Sequence, residues 1–417
     1  MNESGKASNP VRFSAVASLV LSALLISLVG AQVAAAQGGD AITIGVVLPI
    51  TGREGKLGQY QREGIELAIK KINDGGGISV KGKKYIFKEV FYDDGSDSAK
   101  SASLTERAMS SDNVTAVIGG YSTALGEAES VMADRYQTPW ITPGAAATSI
   151  FSHGYQYVFG SLSPIAVLGS TTAEFLGSLV DQGKLKKGLK IALAVENTDH
   201  GIDYVNGIQD WIKMHPGYFT VVFSEKFELG GTDFSGLLQK VKSVKADIFL
   251  SDAHLQDYIT MQRQYLQSGM HHQMISYGAR GPEADARKAL GDGINYIFAA
   301  IWWSSKLSYP QVKQFITDYK QFTGHDPDSW YAVPAYDSVR ILAAAISQAG
   351  STDKTKIRDA LRNVSLKDSL LPGTVLKFGP NGQTGYPFVI VQNQPGGKVE
   401  IVYPRNGATA APIAPTP

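Results

Sequence analysis

The chain predicts an α/β protein of two doubly wound parallel-sheet lobes joined by a three-segment hinge, and three observations predict it. From Ile42 onward, short β-branched runs alternate with amphipathic stretches, a pattern that means parallel sheets covered by helices on both faces. The alternation comes in two series separated by an extended segment at 155–164. No internal repeat of ~20–50 residues is present, which removes solenoids and propellers, and 417 residues are enough for two cores at ~100–200 residues per domain.

The first run, Ile42-Thr43-Ile44-Gly45-Val46-Val47-Leu48, reads as a strand. A helix over 59–73 follows, with Ile65, Ala68, Ile69 and Ile72 on one face at i, i+3, i+4 and i+7. Then come a strand at 85–92, a helix at 98–110, a strand at 114–118, a helix at 125–136, and a strand at 140–142 cut off by Pro143. The second series runs helix 164–180, strand 189–195, helix 202–214, strand 220–227, helix 234–242, strand 247–250, helix 255–268 and strand 274–277. A crossing near 301–306 returns the chain to the first lobe, where 311–322 and 332–349 add helices. Strands at 374–378, 388–392 and 399–403, divided by Gly379-Pro380-Asn381-Gly382 and Pro395-Gly396-Gly397, read as a hairpin-like finishing piece. The expected lobes are 40–161 plus 304–372 and 162–303 plus 373–403, with hinges near 161–164, 303–306 and 371–374. Residues 404–417, rich in Pro and Ala, read as a disordered tail.

Residues 1–36 read as a cleaved signal peptide: Lys6 and Arg12, an apolar run over 13–29, then Ala34-Ala35-Ala36 as an A-x-A site. The run falls short of the ~20 residues of a spanning helix, and serines interrupt it. The expected location is a periplasm. With no cysteine in the chain, lipid attachment through cysteine, disulfides and thiolate metal sites are excluded. The net charge of +1 falls to zero once Lys6, Arg12 and Glu3 leave with the signal. No basic run with interleaved aromatics is present, so neither nucleic acid nor a membrane surface is an expected partner.

In open α/β sheets ligands bind beyond the carboxyl ends of the strands, so the loops directly after strands carry the functional argument. Pro49-Ile50-Thr51-Gly52-Arg53-Glu54-Gly55-Lys56-Leu57-Gly58 is neither a dinucleotide fingerprint nor a phosphate loop, and reads as a flexible loop or one wall of a cleft. Gly119-Gly120-Tyr121-Ser122-Thr123-Ala124 enters a helix, where hydroxyls beside orphaned N–H groups make an anion site. Simple capping explains one hydroxyl and leaves the other, with Tyr121 and the paired glycines, unexplained. The same segment nearly matches the G-x-S-x-G nucleophile elbow, which makes a hydrolase using Ser122 the rival class. Against it, the final glycine is Ala124, no His-Gly-Gly segment precedes it, and no acid-then-histidine arrangement is clear downstream. Thr142-Pro143-Gly144-Ala145-Ala146-Ala147-Thr148 has small side chains that leave main-chain N–H groups open to a ligand, or is a mere connection. His271-His272 lack the spacing of a helical zinc site, so no metal or other cofactor is expected. Trp302-Trp303 and Trp330-Tyr331 read chiefly as core or hinge packing, with ligand stacking as the second reading.

Gly45-Val46-Val47-Leu48-Pro49-Ile50-Thr51-Gly52, Gly58, Gly64, Leu67-Ala68, Ile72-Asn73 and Gly75-Gly76-Gly77-Ile78 resemble the opening of the Leu/Ile/Val-binding proteins. The resemblance continues through Tyr92-Asp93-Asp94, Val117-Ile118-Gly119-Gly120, the 142–148 loop and Tyr336-Asp337, nearly the whole mature chain. It implies the type I periplasmic-binding fold and the role of a non-catalytic, monomeric substrate-binding protein that hands a branched-chain amino acid or related carboxylate to the permease of an ABC transporter. It further implies that Ser122 and Thr123 hold the ligand carboxylate with help from the Gly144, Ala145 and Ala146 backbone, that Thr148 is the nearby hydroxyl, and that Tyr60 or its neighbours close over the side chain. Two departures stand out. His200 occupies a place where the family usually has an aromatic before glycine, and Arg280 lies in the loop where the family often places an acid for the ligand's amino group. A buried ammonium needs a carboxylate, so either Asp252 takes over or the ligand is an acid without an amine; Arg280 facing a second carboxylate is the further option. A sensor ectodomain of the same fold is the third function class.

Overall fold

The computed structural model describes residues 40–417. The expected signal peptide lies outside the described residues. Two sheets organise the chain, in the order in which hydrophobic strands and covering helices alternate along it.

The first sheet contains β1 (Asp40–Leu48), β2 (Ile78–Val80), β3 (Lys83–Asp93), β4 (Ala116–Gly119), β5 (Trp140–Thr142) and β6 (Val158–Gly160), in the spatial order β2-β3-β1-β4-β5-β6. All neighbours are parallel except the short hairpin of β2 with β3. The last five residues of β1 are all buried, as a central strand covered on both faces must be. After β1 the chain builds outward to β3 on one side, then returns to lay β4 on the other. That reversal leaves the loops after β1 and β4 side by side, with a crevice between them.

The second sheet repeats the device. Its strands are β7 (Leu189–Glu196), β8 (Phe219–Phe227), β9 (Ile248–Asp252), β10 (Met274–Tyr277), β11 (Phe298–Ile301), β12 (Val389–Gln394) and β13 (Lys398–Tyr403), in the order β13-β12-β11-β10-β9-β7-β8. Here β7 is flanked by β8 and β9, so the loops after β7 and β9 adjoin, followed by the loop after β10. The expected finishing hairpin is β12–β13, antiparallel and joined to the edge of this sheet through β11.

The helix Gly55–Asp74 covers the first sheet and packs on Ala332–Ala349. Gly64 makes that contact possible, because a Cβ there would lie 2.0 Å from the Ala332 carbonyl oxygen. The helix Ala332–Ala349 therefore packs with the first sheet's covering layer.

Three expectations change. Residues 374–378 form no regular strand: Thr374 has φ 58, and only isolated bridges link Leu366 to Leu376 and Phe378 to Thr384. Gln383 bridges to Gly160 beside β6, so the chain stays with the first lobe until this point. The third crossing then falls between Thr384 and Val389, not at 371–374. Residues 404–417 are not a loose tail. The Ile413 amide donates to Gln392 Oε1 at 2.9 Å, the Thr416 hydroxyl donates to the His272 carbonyl at 2.7 Å, and Lys184 Nζ donates to the Pro412 carbonyl at 3.0 Å. Main-chain groups of the tail together with the Thr416 hydroxyl hold it along the second lobe.

Candidate functional site

The three crossings are laced together beside the crevice. Ser163 Oγ donates to the Tyr386 carbonyl at 2.7 Å, Tyr386 Oη donates to the Ser161 carbonyl at 3.1 Å, and Trp302 Nε1 donates to the Ser163 carbonyl at 3.0 Å. Trp302 is thus a hinge residue, and its indole stacks at a tilt on Trp330, with ring centroids 4.5 Å apart.

From the first lobe, the loop after β1 brings Glu54 and the loop after β4 brings Ser122 and Thr123, all buried. Ser122 is the N-cap of the helix Thr123–Arg135 but makes no side-chain cap bond; its hydroxyl donates to Glu54 Oε2 at 3.2 Å. Thr123 Oγ1 is fully buried with no hydrogen-bond partner among the described residues. Both side-chain polar atoms of Gln61 are equally unpartnered, and Gln61 Nε2 would lie 2.6 Å from a Cβ at Gly144. Residue 144 must therefore be glycine for Gln61 and the Tyr121 carbonyl to pack there.

The backbone grip expected of the next loop is already taken. The amides of Gly144 and Ala145 donate to Thr142 Oγ1 at 3.2 and 2.9 Å, and the Ala146 carbonyl accepts from Gln383 Nε2 at 3.0 Å. Ala145 and Ala146 are fully buried as packing residues. Thr148 is exposed, and its amide bridges the lobes by donating to Asp203 Oδ2 at 2.6 Å. Tyr60 is buried away from the hydroxyl pair, against the His325 ring at 6.3 Å and under the Lys56 ammonium.

From the second lobe come Glu196 at the end of β7, His200 after it, Asp252 and His254 at and after the end of β9, and Arg280 after β10. His200 Nδ1 lies 2.6 Å from Asp252 Oδ2. Burial opposes charge on both groups, yet their pairing outweighs it: the His200 pKa is raised and that of Asp252 lowered. Asp252 is therefore committed to His200. His254 stands between the lobes, with Nδ1 3.2 Å from Glu54 Oε1 and Nε2 3.4 Å from Glu196 Oε2. These are charge contacts only, since His254 Nδ1 and Glu196 Oε2 make no hydrogen bond among the described residues. Burial lowers the His254 pKa, but Glu196 and Glu54 outweigh it and raise it. For Glu54 burial raises the pKa, and His254 with Arg53 pulls it below the usual carboxylate value.

Arg280 is buried, with its guanidinium carbon 5.1 Å from the Tyr331 ring centroid and 5.9 Å from that of Trp330. Its Nε has no hydrogen-bond partner among the described residues. Tyr121, Ser122, Thr123, Gly144, His200, His254, Arg280, Trp302, Trp330 and Tyr331 line one common space of about 10 Å³, room for roughly one water. The lobes are closed on each other. A hollow of about 450 Å³ near the hinge, lined by Glu283, Arg287, Trp303 and Trp330 among others, is roomier, but it holds none of the hydroxyl or histidine groups that converge in the cleft.

Of the sequence-predicted residues, Tyr121, Ser122, Thr123, Gly144, His200 and Arg280 line this space, Asp252 is placed beside it as the partner of His200, and Tyr60, Ala145, Ala146 and Thr148 are outside the lining. Glu196 and His254 escaped the sequence reading, and Glu54 entered it only as part of the loop after β1. The rule that points to carboxyl ends of central strands identifies all three when applied to both lobes alike.

The family profile described as "Periplasmic binding protein" matches residues 41–398. A "Leu/Ile/Val-binding protein homolog 8" from Brucella suis biovar 1 is 26% identical over 401 residues, spanning 92% of this chain and 97% of the relative. A solved branched-chain amino acid transporter substrate-binding protein from Streptococcus pneumoniae, in complex with isoleucine, is similar with a TM-score of 0.74 at 23% identity, covering 86% of this chain and 98% of that one. An ABC-transporter solute-binding protein from R. palustris, in complex with 4-hydroxybenzoate, is similar with a TM-score of 0.75 at 20% identity, covering 86% and 95%.

Proposed function

Since the chain belongs to the periplasmic binding protein family, we propose that it is the monomeric, periplasmic solute-capturing component of an ABC uptake system, closing its lobes on a small carboxylate for delivery to the permease. The observation that carries the ligand class is Arg280. A guanidinium cannot lose its proton, and a buried charge without an anion is costly. Here the guanidinium is buried, and although the Glu283 and Asp252 carboxylates act on it from nearby, its Nε is unpartnered among the described residues and it shares the cleft lining with Ser122 and Thr123. A carboxylate between them satisfies the arginine and Thr123 Oγ1 together.

The body of the ligand meets Tyr121, Trp330 and Tyr331, which favours a flat or aromatic acid. Asp252, the stand-in partner for an amino group, is held by His200, and this favours an acid without an amine over a branched-chain amino acid. The R. palustris relative with 4-hydroxybenzoate and the S. pneumoniae relative with isoleucine represent the two alternatives. Catalysis has little support in the geometry. The Ser122 hydroxyl bonds to a carboxylate of lowered pKa, a poor base for activating a nucleophile.

Calorimetric titration of EDTA-treated protein with 4-hydroxybenzoate, 4-hydroxybenzamide and isoleucine tests this reading. The acid is expected to bind and its amide, isosteric but uncharged, to fail. Equal binding of acid and amide removes the carboxylate reading, and binding of isoleucine alone restores the amino-acid one.

A further inference from the structure

We infer that the ligand is an elongated acid: with its carboxylate at Arg280, its body runs past Trp330 into the hollow beside the hinge and ends there in a neutral hydroxyl. This rests on the carboxylate reading and adds the length and the far end of the molecule.

Space is the first argument. The closed cleft keeps only about 10 Å³, whereas the hollow keeps about 450 Å³, within the range of about 300–1,000 Å³ usual for small-molecule sites. Trp330 is a wall of both. Pro282, on the hollow's rim, is two residues from Arg280, a separation of at most about 7 Å along the chain. The hollow also spans the hinge: Glu283 and Ile301 come from the second lobe, Trp303 from a crossing, and Ile316 and Asp328 from the segment leading into the helix Ala332–Ala349. Parting the lobes then separates Trp330 from Arg280 and joins the two spaces. No hydrogen bond among the described residues fixes this partition at its indole nitrogen, because Trp330 Nε1 is buried without a partner. The ring is held by stacking, on Tyr331 at 3.8 Å and on Trp302 at 4.5 Å between centroids, and a planar ligand body suits the same stack.

The lining sets the chemistry of the far end. Ile301, Trp303, Ile316 and Val399 give it apolar walls. The carboxyl groups of Glu283, Asp326 and Asp328, against the one guanidinium of Arg287, make the lining net negative, which disfavours a second anion. Glu283 is buried and accepts from the Ser329 hydroxyl at 3.3 Å; burial outweighs the pull of Arg280 and lifts its pKa to about 7. Two donors in the same lining, Trp303 Nε1 and Arg287 Nη2, are buried and have no partner among the described residues. Unpartnered donors beside an acidic acceptor suit a hydroxyl, which accepts and donates at one oxygen.

Calorimetry of the wild-type protein with 4-hydroxybenzoate and 4′-hydroxybiphenyl-4-carboxylate, each beside its amide, tests the inference. The two-ring acid should bind about tenfold tighter or more, from the extra apolar surface it buries, and biphenyl-4,4′-dicarboxylate should lose that gain. Ala284→Phe and Ile316→Trp, at half-buried positions of the lining, fill the hollow and should each bring the ratio of two-ring to one-ring affinity to one or below. A ratio measured on one sample does not depend on the fraction folded, and the second variant decides if the first fails to fold. A two-ring acid that binds no better than the one-ring acid, or a gain that survives filling, overturns the inference, and a dicarboxylate bound as tightly as the hydroxy acid overturns the neutral end. The difference between acid and amide reports on Arg280 and the difference between one ring and two reports on the hollow, so the two readings fail separately; binding of none of these compounds sinks both.

Discussion

Arg280 illustrates how one side chain sets the character of a cleft. Its planar fork matches a carboxylate at two points, which a lysine ammonium does not. Replacing Arg280 by Met should therefore weaken 4-hydroxybenzoate by about 30- to 150-fold, the loss of ~2–3 kcal/mol in charge-assisted hydrogen bonds. Arg280→Lys should recover only part of that loss. Calorimetry of the three proteins in metal-free buffer checks both, and an Arg280→Met variant that binds as wild type rules out the assigned role. Ser122 and Thr123 were legible because a strand, two glycines and a helix start place them without knowledge of any distant contact. The Gly144 and Ala145 amides were not, since their capture by Thr142 Oγ1 depends on a rotamer that the sequence does not state. Glu54 was hidden by distance: its partner Ser122 is 68 residues away, and His254 reaches it from the other lobe.

At the scale of elements, long amphipathic helices such as Ser98–Ser110 and Ala332–Ala349 matched their expected bounds, because burial on one face writes a period into the sequence. The three-residue strands β2 and β6 carry too little pattern to be read, whereas the equally short β5 is marked by the Pro143 that ends it. The link between the helix Leu255–Gln267 and β10 is expected to respond to pH. His272 Nδ1 meets Tyr265 Oη at 2.7 Å, and burial, then the neighbouring His271, hold the His272 pKa down at about 4 against an ordinary 6.5. A depressed histidine is neutral in the fold but takes up a proton in the unfolded chain, so its contribution is fully present above pH 6.5 and is lost as the pH falls toward 4. The slope is at most about 1.4 kcal/mol per pH unit. Melting temperatures between pH 7 and 4 should fall less steeply for His272→Asn than for wild type, and parallel curves would refute this assignment. The same link anchors the tail through Thr416, so its loosening in acid should free the last residues first.

For the whole molecule, a ligand needs more than the ~10 Å³ left between the lobes, so entry requires the Glu54–His254 and Thr148–Asp203 contacts to part. The chain crosses at 160–165, 301–310 and 384–389, the last displaced from its expected position by the bridge of Gln383 to Gly160, and opening is expected to turn on these segments. Small-angle scattering of ligand-free protein should give a larger radius of gyration than the ligand-saturated form; identical radii would count against hinge closure. Those crossings also mean that neither lobe is one continuous stretch of chain. The helix Gly55–Asp74 finds its partner only when Ala332–Ala349 has been made, so on the ribosome the first lobe lacks this covering helix until most of the chain has been translated. A lobe completed so late is expected to fold only once most of the chain has emerged, which suits a polypeptide that must be passed through a narrow conduit before it folds.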